Sequence, residues 1–166
     1  NQERQHTKFT LNSIENCQNF ANFFEAVRPK ILKELTGSNN PVYRRLRKAP
    51  IIVADTKSNS TIKILKEVSA VPDIYNDSFI VHCRLLGEGW DPKDGWIDSS
   101  MFVDPSGSEI RIYQDVNRGS RIGNGSKKTN WVVQAHLVDD EKLQYNKMYE
   151  TIRTVCLALE IGDDEI

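Results

Sequence analysis

Short apolar runs recur along the chain and predict β-strands. Five of them have the length of a strand in a globular protein, namely residues 8–11, 50–54, 78–86, 99–104 and 130–138. Amphipathic segments separate most of these runs, so strands are predicted to alternate with helices. That alternation is typical of an α/β domain, in which a mainly parallel sheet is covered by helices on both faces.

The first amphipathic segment is predicted to begin at a capping residue. Asn12 is a favourable N-cap, and Glu15 stands at the third helical position, as in a capping box. Pro29 is predicted to end this helix or to begin the next segment, because proline has no amide hydrogen to donate within a helix. An apolar stripe recurs at helical spacing between them; its members are Ile14, Cys17, Phe20, Ala21, Phe23, Phe24 and Val27.

Three further helices are predicted along the chain. Ser60 is a candidate cap for one, Ser106 and Glu109 form a second capping box before another, and residues 140–160 are predicted to form the last. With 166 residues and no repeat or flexible linker, the chain is predicted to fold as one α/β domain. Its first residue is asparagine and a strand follows soon after, which indicates a piece of a longer protein.

The charge of the chain is nearly balanced, with 22 basic and 23 acidic residues. No global field therefore attracts nucleic acid, and any such affinity must come from local patches. Two basic patches are present, at Tyr43–Lys48 and Arg118–Lys128. The first, YRRLRK, either lines a nucleic-acid track or forms the solvated face of a helix. No apolar run approaches the length of a membrane span.

The cysteines and histidines lack the spacing of a metal site. The three cysteines, Cys17, Cys83 and Cys156, are scattered and odd in number. This favours buried thiols in a reducing compartment over a disulfide framework. The three histidines are equally isolated, so no metal site is predicted.

Two segments carry candidate chemistry. The loop LLGEGWDPKDGW follows the third predicted strand, and its Asp91 suits a ribose or an arginine as partner; a plain turn is the alternative. The helix after the fourth strand ends in IYQDVNRGSR, with Arg118 and Arg121 on one face and Gln114 one turn earlier. Two arginine guanidinium groups can bind a phosphate or a carboxylate through paired hydrogen bonds. The alternative is that both arginines are solvated at the end of the helix.

Taken together, these segments resemble motifs V and VI of superfamily-two helicases and translocases. CRLLGEGWD is similar to motif V, QDVNRGSR is similar to the Q-x-x-G-R-x-x-R of motif VI, and 22 residues separate Asp91 from Gln114, as in the family. TLNSIENCQNFANFF is similar to the motif IV strand and helix that open the second RecA-like domain. The resemblance covers roughly residues 7–138 and is nearest to restriction-type and viral or phage motors.

The resemblance implies a RecA-like domain over residues 1–138, with a mainly parallel sheet of about five or six strands. Residues 139–166 would then form a C-terminal helix and acidic tail that pack on this domain or lead to a further one. Arg118 and Arg121 match the arginine fingers that reach the γ-phosphate of ATP. Gln114 matches the position that links the nucleotide to the catalytic network.

The motif V loop is implied to contact the nucleotide, through Glu88, Gly89 and Asp91. Contacts to the nucleic-acid backbone are implied for four residues: Asn12, Ser13, Cys83 and Arg84. Two positions depart from the family pattern. Asn117 stands where the family usually has glycine, and Cys83 stands where motif V usually has threonine.

No phosphate-binding P-loop occurs in the chain. GNGSKKT, residues 123–129, lacks the required glycine before its lysine and leads into a predicted strand rather than a helix. The resemblance therefore implies half of an ATP site, inactive alone, with ATP and Mg²⁺ held mainly by a missing N-terminal RecA-like domain.

The partners implied are that domain and single-stranded DNA or RNA, which is contacted through its backbone, with no membrane. An intracellular setting is expected, cytoplasmic in a bacterium or phage and nuclear otherwise. One alternative is a RecA-like module that binds nucleic acid or protein but has lost catalysis. Another is a dinucleotide or sugar-phosphate enzyme, although G-x-G-x-x-G is missing after the first strand.

Overall fold

The computed structural model describes residues 5–54, 77–83, 97–104, 108–119, 131–134 and 149–154. In chain order its elements are β1 (Gln5–Thr10), α1 (Ile14–Thr36), α2 (Pro41–Leu46), β2 (Ile51–Ala54), β3 (Asp77–His82), β4 (Ser99–Phe102), α3 (Glu109–Gly119) and β5 (Trp131–Gln134). Residues 149–154, within the predicted last helix, are also helical. The helix predicted from Ser60, the predicted cap Ser106 and the proposed division at residue 138 lie outside the described residues.

The predicted α/β fold is confirmed. The five described strands form one sheet in the order β2-β3-β1-β4-β5, and each pair of neighbours is parallel. All five predicted apolar runs contribute to it, with bounds that shift by a few residues. β1 lies at the centre and is paired along its length with β3, from Gln5 opposite Asp77 to Thr10 opposite His82.

The order of the strands places helices on both faces of this sheet. The connection that contains α1 runs from β1 past β3 to β2, whereas the connection that contains α3 runs from β4 in the opposite direction to β5. Because parallel crossovers are right-handed, connections that run in opposite directions lie on opposite faces. We call these the α1 face and the α3 face.

The start of α1 differs from the prediction by one residue. Ser13, not Asn12, is the N-cap, and its hydroxyl oxygen accepts a hydrogen bond from the amide of Asn16 at 3.1 Å. Glu15 is therefore in the first turn but not in a capping box with Asn12. It still favours the positive end of the helix dipole.

The sequence predicted that α1 ends at Pro29, but the helix continues through this proline to Thr36. Packing on both sides of the proline explains this difference. Arg28 is buried and donates to the carbonyl of Ala49 at 2.6 Å, and Leu32 packs against the core one turn later. The helix ends instead at Gly37, whose φ of 79° favours glycine.

The α1 face is covered by an aromatic cluster. Phe9 of β1 lies 5.0 Å from Phe20, 5.2 Å from Phe24 and 6.1 Å from Phe79, measured between ring centroids. The predicted apolar stripe of α1 supplies two of these rings together with buried Cys17 and Ala21. Phe23 does not belong to this core, because its side chain is 61% exposed.

The basic segment Tyr43–Lys48 supplies most of α2, and one of its arginines forms an ion pair with the sheet. The Nε of Arg45 lies 2.8 Å from the Oδ2 of Asp77, the first residue of β3. Burial raises the pKa of Asp77 above 3.8, although Arg45 and the amide of Gln5 partly offset this. Arg45 thus lies at the amino edge of the sheet and binds a carboxylate there, so it does not line a nucleic-acid track at the carboxyl edge. Arg44 is exposed.

The described cysteines, Cys17 and Cys83, are free and buried, in agreement with the prediction of buried thiols. Cys156 lies outside the described residues. Among the helices that the structure describes, none is both long enough and apolar enough to span a membrane.

Candidate functional site at the carboxyl edge of the sheet

Three central strands end together at one edge of the sheet. The amide of Leu11, just after β1, donates to the carbonyl of His82 at 2.9 Å, and the amide of Val103, just after β4, donates to Thr10 at 3.0 Å. These bonds hold the ends of β1, β3 and β4 side by side. The residues that leave the strands here are the ones that can meet a ligand in a parallel α/β fold.

The N-terminus of α1 lies at this edge and already faces a carboxylate. Asp104, two residues beyond β4, accepts hydrogen bonds at one oxygen, Oδ2, from the amide of Asn12 at 2.9 Å and from the side-chain amide of Asn16 at 3.0 Å. Asn12 is exposed, as its predicted contact with nucleic acid requires. A phosphate that approached Asn12 would meet the negative charge of Asp104.

The other two described candidates for backbone contact have structural roles. Ser13 caps α1 through its hydroxyl. Cys83, the residue after β3, is only 2% exposed and belongs to the core on the α1 face. Because its thiol is buried, any contact between Cys83 and a phosphate would have to use the backbone. Arg84 lies outside the described residues.

Helix α3 carries two of the three residues matched to motif VI. Gln114 is exposed in the middle of the helix, and Arg118 occupies its last turn. Positions four apart in a helix share a face, so the backbone brings these two positions together. Arg121 lies beyond α3 and outside the described residues, as do Glu88, Gly89 and Asp91 of the motif V loop.

Helix α3 begins at Glu109, immediately after Ser108. The amide of Ile112 donates to the carbonyl of Ser108 at 3.1 Å. Ile112 and Val116 are buried on the inner side of the helix. This inner side sets which residues of α3 remain at the surface.

A buried polar cluster lies between α3 and the sheet. Lys8, in the middle of β1, is fully buried, and its ammonium donates to Asp115 of α3 at the carbonyl oxygen, at 2.8 Å, and at Oδ1, at 3.2 Å. The hydroxyl of Thr10 donates to Oδ2 of Asp115 at 3.2 Å and lies 3.0 Å from Nε2 of His82. We call Lys8, Thr10, His82 and Asp115 the Lys8 cluster.

The sequence interpretation missed the Lys8 cluster. Alternation of polar and apolar residues in β1 suggests that Lys8 points to solvent, because lysine is rarely fully buried. One available signal was Asp115, a carboxylate on the amphipathic helix that also carries Gln114. Only the pairing of strand and helix shows that the two charges meet.

No metal centre is found in the described parts of the chain. There, no group of three or more histidine, cysteine, aspartate or glutamate residues could hold a metal ion. The prediction that Mg²⁺ is held by another domain stays a prediction.

Comparison with known proteins bears on the fold. No protein-family model matches the chain, and no curated protein sequence matches it. Among solved structures, the chain is similar to the ATP-dependent Type ISP restriction-modification enzyme LlaBIII bound to DNA, with a TM-score of 0.61 and 18% identity over 95% of this chain. The chain spans only 10% of the length of that enzyme.

A second structure, the C-terminal domain of the DEAD-box protein Dbp5, is matched with a TM-score of 0.49 and 8% identity. It covers 98% of this chain, which in turn covers 74% of that domain. At these identities the likeness concerns the fold. The chain has the RecA-like α/β fold that the sequence resemblance implied, built on a parallel sheet.

Proposed function

We propose that this chain is the second motor domain of an ATP-dependent nucleic-acid helicase or translocase. The observation that carries the proposal is a RecA-like sheet in which β4 is followed by a helix, α3, with Gln114 and Arg118 at motif VI spacing. The likeness to an ATP-dependent enzyme bound to DNA supports the same conclusion. On this proposal the chain is inactive alone, because its ATP site is completed by a separate P-loop domain.

The outer side of α3 suits a nucleotide presented by that second domain. Gln114 is exposed and offers amide donors, and Arg118 shares its helical face. Asp115, the adjacent carboxylate, is turned inward and bound by Lys8, so its charge does not oppose a phosphate there. The residues present therefore fit an anionic ligand at this surface.

ATP, when bound, supplies the γ-phosphoryl group that is transferred to water. In our proposal Arg118 and Arg121 hold the negative charge of that group, a contribution worth about 10³ to 10⁵ in rate. Gln114 orients the groups around it. Glu88, Gly89 and Asp91 contact the ribose and the arginines, while the P-loop domain holds Mg²⁺ and most of the nucleotide.

The nucleic acid is proposed to run along the carboxyl edge of the sheet. Asn12 and Ser13 stand at this edge, at the start of α1, and Arg84 follows β3. Contacts of this kind bind backbone phosphates and do not read bases. DNA and RNA are both consistent with them. The buried free thiols of Cys17 and Cys83 support an intracellular setting.

A second candidate function is a RecA-like module that binds nucleic acid or protein without catalysis. The position of Asp104 favours it, because this carboxylate already occupies the amide of Asn12 and weakens the grip on a phosphate. The buried thiol of Cys83 acts in the same direction. Such a module does not hydrolyse ATP and needs no arginine fingers, so the effect of substituting Arg118 or Arg121 on ATP hydrolysis separates the two candidates.

The decisive experiment measures ATP hydrolysis by the longer protein that contains this chain, with and without single-stranded DNA or RNA. Wild type is compared with Arg118→Ala and Arg121→Ala, and with Lys30→Ala as a matched loss of an exposed cation on α1. We expect stimulated hydrolysis that falls by about 10³-fold or more in either arginine variant and is unchanged in the lysine variant.

Two results would contradict the proposal. Hydrolysis that is absent, or indifferent to both arginine substitutions, indicates the binding module. Robust ATP turnover by the 166-residue chain alone would show that no second domain is needed.

A further inference from the structure

We propose that the Lys8 cluster is a positioning device that fixes α3, and through it the direction of Gln114 and Arg118. This inference rests on the proposed function. Thr10 and Asp115 lie within the motif IV and motif VI segments but at positions to which the resemblance gives no role, and Lys8 and His82 lie outside the motif segments. The inference gives a positioning role to side chains that never touch the nucleotide.

The contact between Lys8 and Asp115 permits few arrangements. The ammonium of Lys8 is fully buried and donates to two different oxygens of Asp115, one in the backbone and one in the side chain. A buried charge is costly unless it is paired and hydrogen-bonded. A slide or rotation of α3 that removed either contact would therefore weaken the compensation of a buried charge.

The second oxygen of the Asp115 carboxylate is held as well. Thr10, two residues after Lys8 on the same face of β1, donates its hydroxyl to Oδ2 at 3.2 Å. His82 of β3 lies beside Thr10 in register, and its Nε2 is 3.9 Å from Oδ1 of Asp115. Lys8 and Thr10 of β1 thus bind both carboxylate oxygens of a single residue of the helix, and His82 of β3 lies beside Thr10.

The geometry of a helix carries this restraint to the motif VI positions. Successive residues turn by about 100° around the helix axis. Position 114 is thus about 100° from position 115, and position 118 is about 60° from it on the same side. With Asp115 tied inward, both positions are held on one flank of α3, where Gln114 is exposed.

An apolar contact at this place would bury the helix equally well but would be less directional. Ile112 and Val116 already supply such burial on the inner side of α3. Replacing a buried ion pair with apolar residues is often neutral for stability, whereas a directional pair specifies one arrangement. We therefore infer that the cluster serves to orient α3 rather than to strengthen its packing on the sheet.

The test uses the longer protein that contains this chain and the double variant Lys8→Met, Asp115→Leu. This pair of substitutions keeps apolar volume between sheet and helix and leaves no isolated charge. We expect thermal unfolding near that of wild type, an unchanged KM for ATP, and a kcat of nucleic-acid-stimulated hydrolysis lowered by about 100-fold, as for a misplaced catalytic group.

Ile112→Val is the matched control, because it loosens the packing of α3 on the sheet without touching the pair. We expect its kcat within about twofold of wild type, since this is a small change in a packed core. A double variant that keeps the kcat of this control, while Arg118→Ala abolishes hydrolysis, would overturn the positioning role and leave the proposed function standing. Wild-type protein without stimulated hydrolysis would overturn both.

A second variant keeps the test decisive if the double variant does not fold. Thr10→Val is nearly isosteric and preserves the contact of Lys8 with Asp115, but it removes the hydroxyl donor to Oδ2. We expect kcat to fall by about fivefold, the equivalent of one hydrogen bond, together with faster hydrogen exchange of α3 amides. An unchanged kcat and unchanged exchange in Thr10→Val would count against the inference.

Discussion

The α1 face and the α3 face belong to the same sheet, but they are buried with different side chains. On the α1 face, Phe9 and Phe79 pack with the rings of α1, and Cys17 and Val81 fill the space around them. On the α3 face, the alternate residues of β1 are His6, Lys8 and Thr10, and all three are engaged in polar contacts.

Both faces contain charged side chains, but at different places. The α1 face has Asp77 at its amino edge, paired with Arg45 of α2, and the buried Arg28 of α1. The α3 face has Asp115, which pairs with Lys8 beneath the helix of motif VI. Apolar packing is tolerant of small movements, whereas hydrogen-bonded charges are not. The face on which the central strand presents polar side chains is thus the one that carries the proposed catalytic helix.

The largest effect is expected on the α1 face. Phe9→Ala removes a ring that contacts three other rings and is 5% exposed, so it should lower the free energy of unfolding by about 3–5 kcal/mol. Urea unfolding of the chain measures this. Phe23→Ala, in the same helix stripe but 61% exposed, should stay within about 0.5 kcal/mol of wild type. Equal losses in the two variants would contradict the assignment of this face.

The second effect is expected on the α3 face. Lys8→Met leaves the carboxylate of Asp115 without its cation and should cost about 3 kcal/mol in the free energy of unfolding. Adding Asp115→Leu should recover most of that loss, because no isolated charge then remains. Lys30→Met, at an exposed position of α1, is the control. No recovery in the double variant would mean that the pair itself stabilises the fold, and the contrast between the faces would weaken.

A smaller effect is expected where the two faces meet at the carboxyl edge. Asp104→Asn removes a negative charge beside the amide of Asn12 at the start of α1, so it should lower the free energy of unfolding by about 0.5–1 kcal/mol. In the longer protein, the same change should raise affinity for single-stranded nucleic acid and steepen its dependence on salt. Unchanged affinity would argue against a phosphate contact at Asn12.

The smallest effect is a pH dependence from the amino edge of the α1 face. Burial raises the pKa of Asp77 above 3.8 in the folded chain, so ionisation of this group is disfavoured by folding. Its contribution to stability is present below pH 3.8 and is lost as the pH rises through the raised pKa. The stability of Asp77→Asn relative to wild type should therefore increase over that window, as measured by unfolding at a series of pH values. A decrease would show that Arg45 outweighs burial.

The order of elements was predictable because each depends on neighbours in sequence. Apolar runs such as residues 50–54 and 99–104 are strands at nearly the predicted positions. The predicted end of α1 at Pro29 was wrong, since Arg28 and Leu32 make contacts that outweigh the local preference of proline. The predicted cap was displaced from Asn12 to Ser13, because both residue types favour that role and only the observed hydrogen bond distinguishes them.

The candidate site was predictable only in part. Gln114 and Arg118 share a face of α3 as their spacing implied, whereas the roles of Arg121, Glu88, Gly89, Asp91 and Arg84 stay predictions. Cys83 was a candidate for phosphate contact, and its burial in the core depends on how β3 packs under α1. The sequence did not distinguish Arg45 from the other arginines of its basic segment, and only the fold shows that it pairs with Asp77.

By itself, the sequence determined the α/β class, the positions of the strands, the apolar stripe of α1 and the spacing of the motif VI residues. These follow from periodicity and local preference, which act over a few neighbouring residues. Only the tertiary structure decided that Lys8 is buried rather than exposed and that it meets Asp115, 107 positions later in the chain. The physical reason is that right-handed crossovers place α3 on the face of the sheet to which Lys8 points, so the buried ammonium meets a carboxylate of that helix.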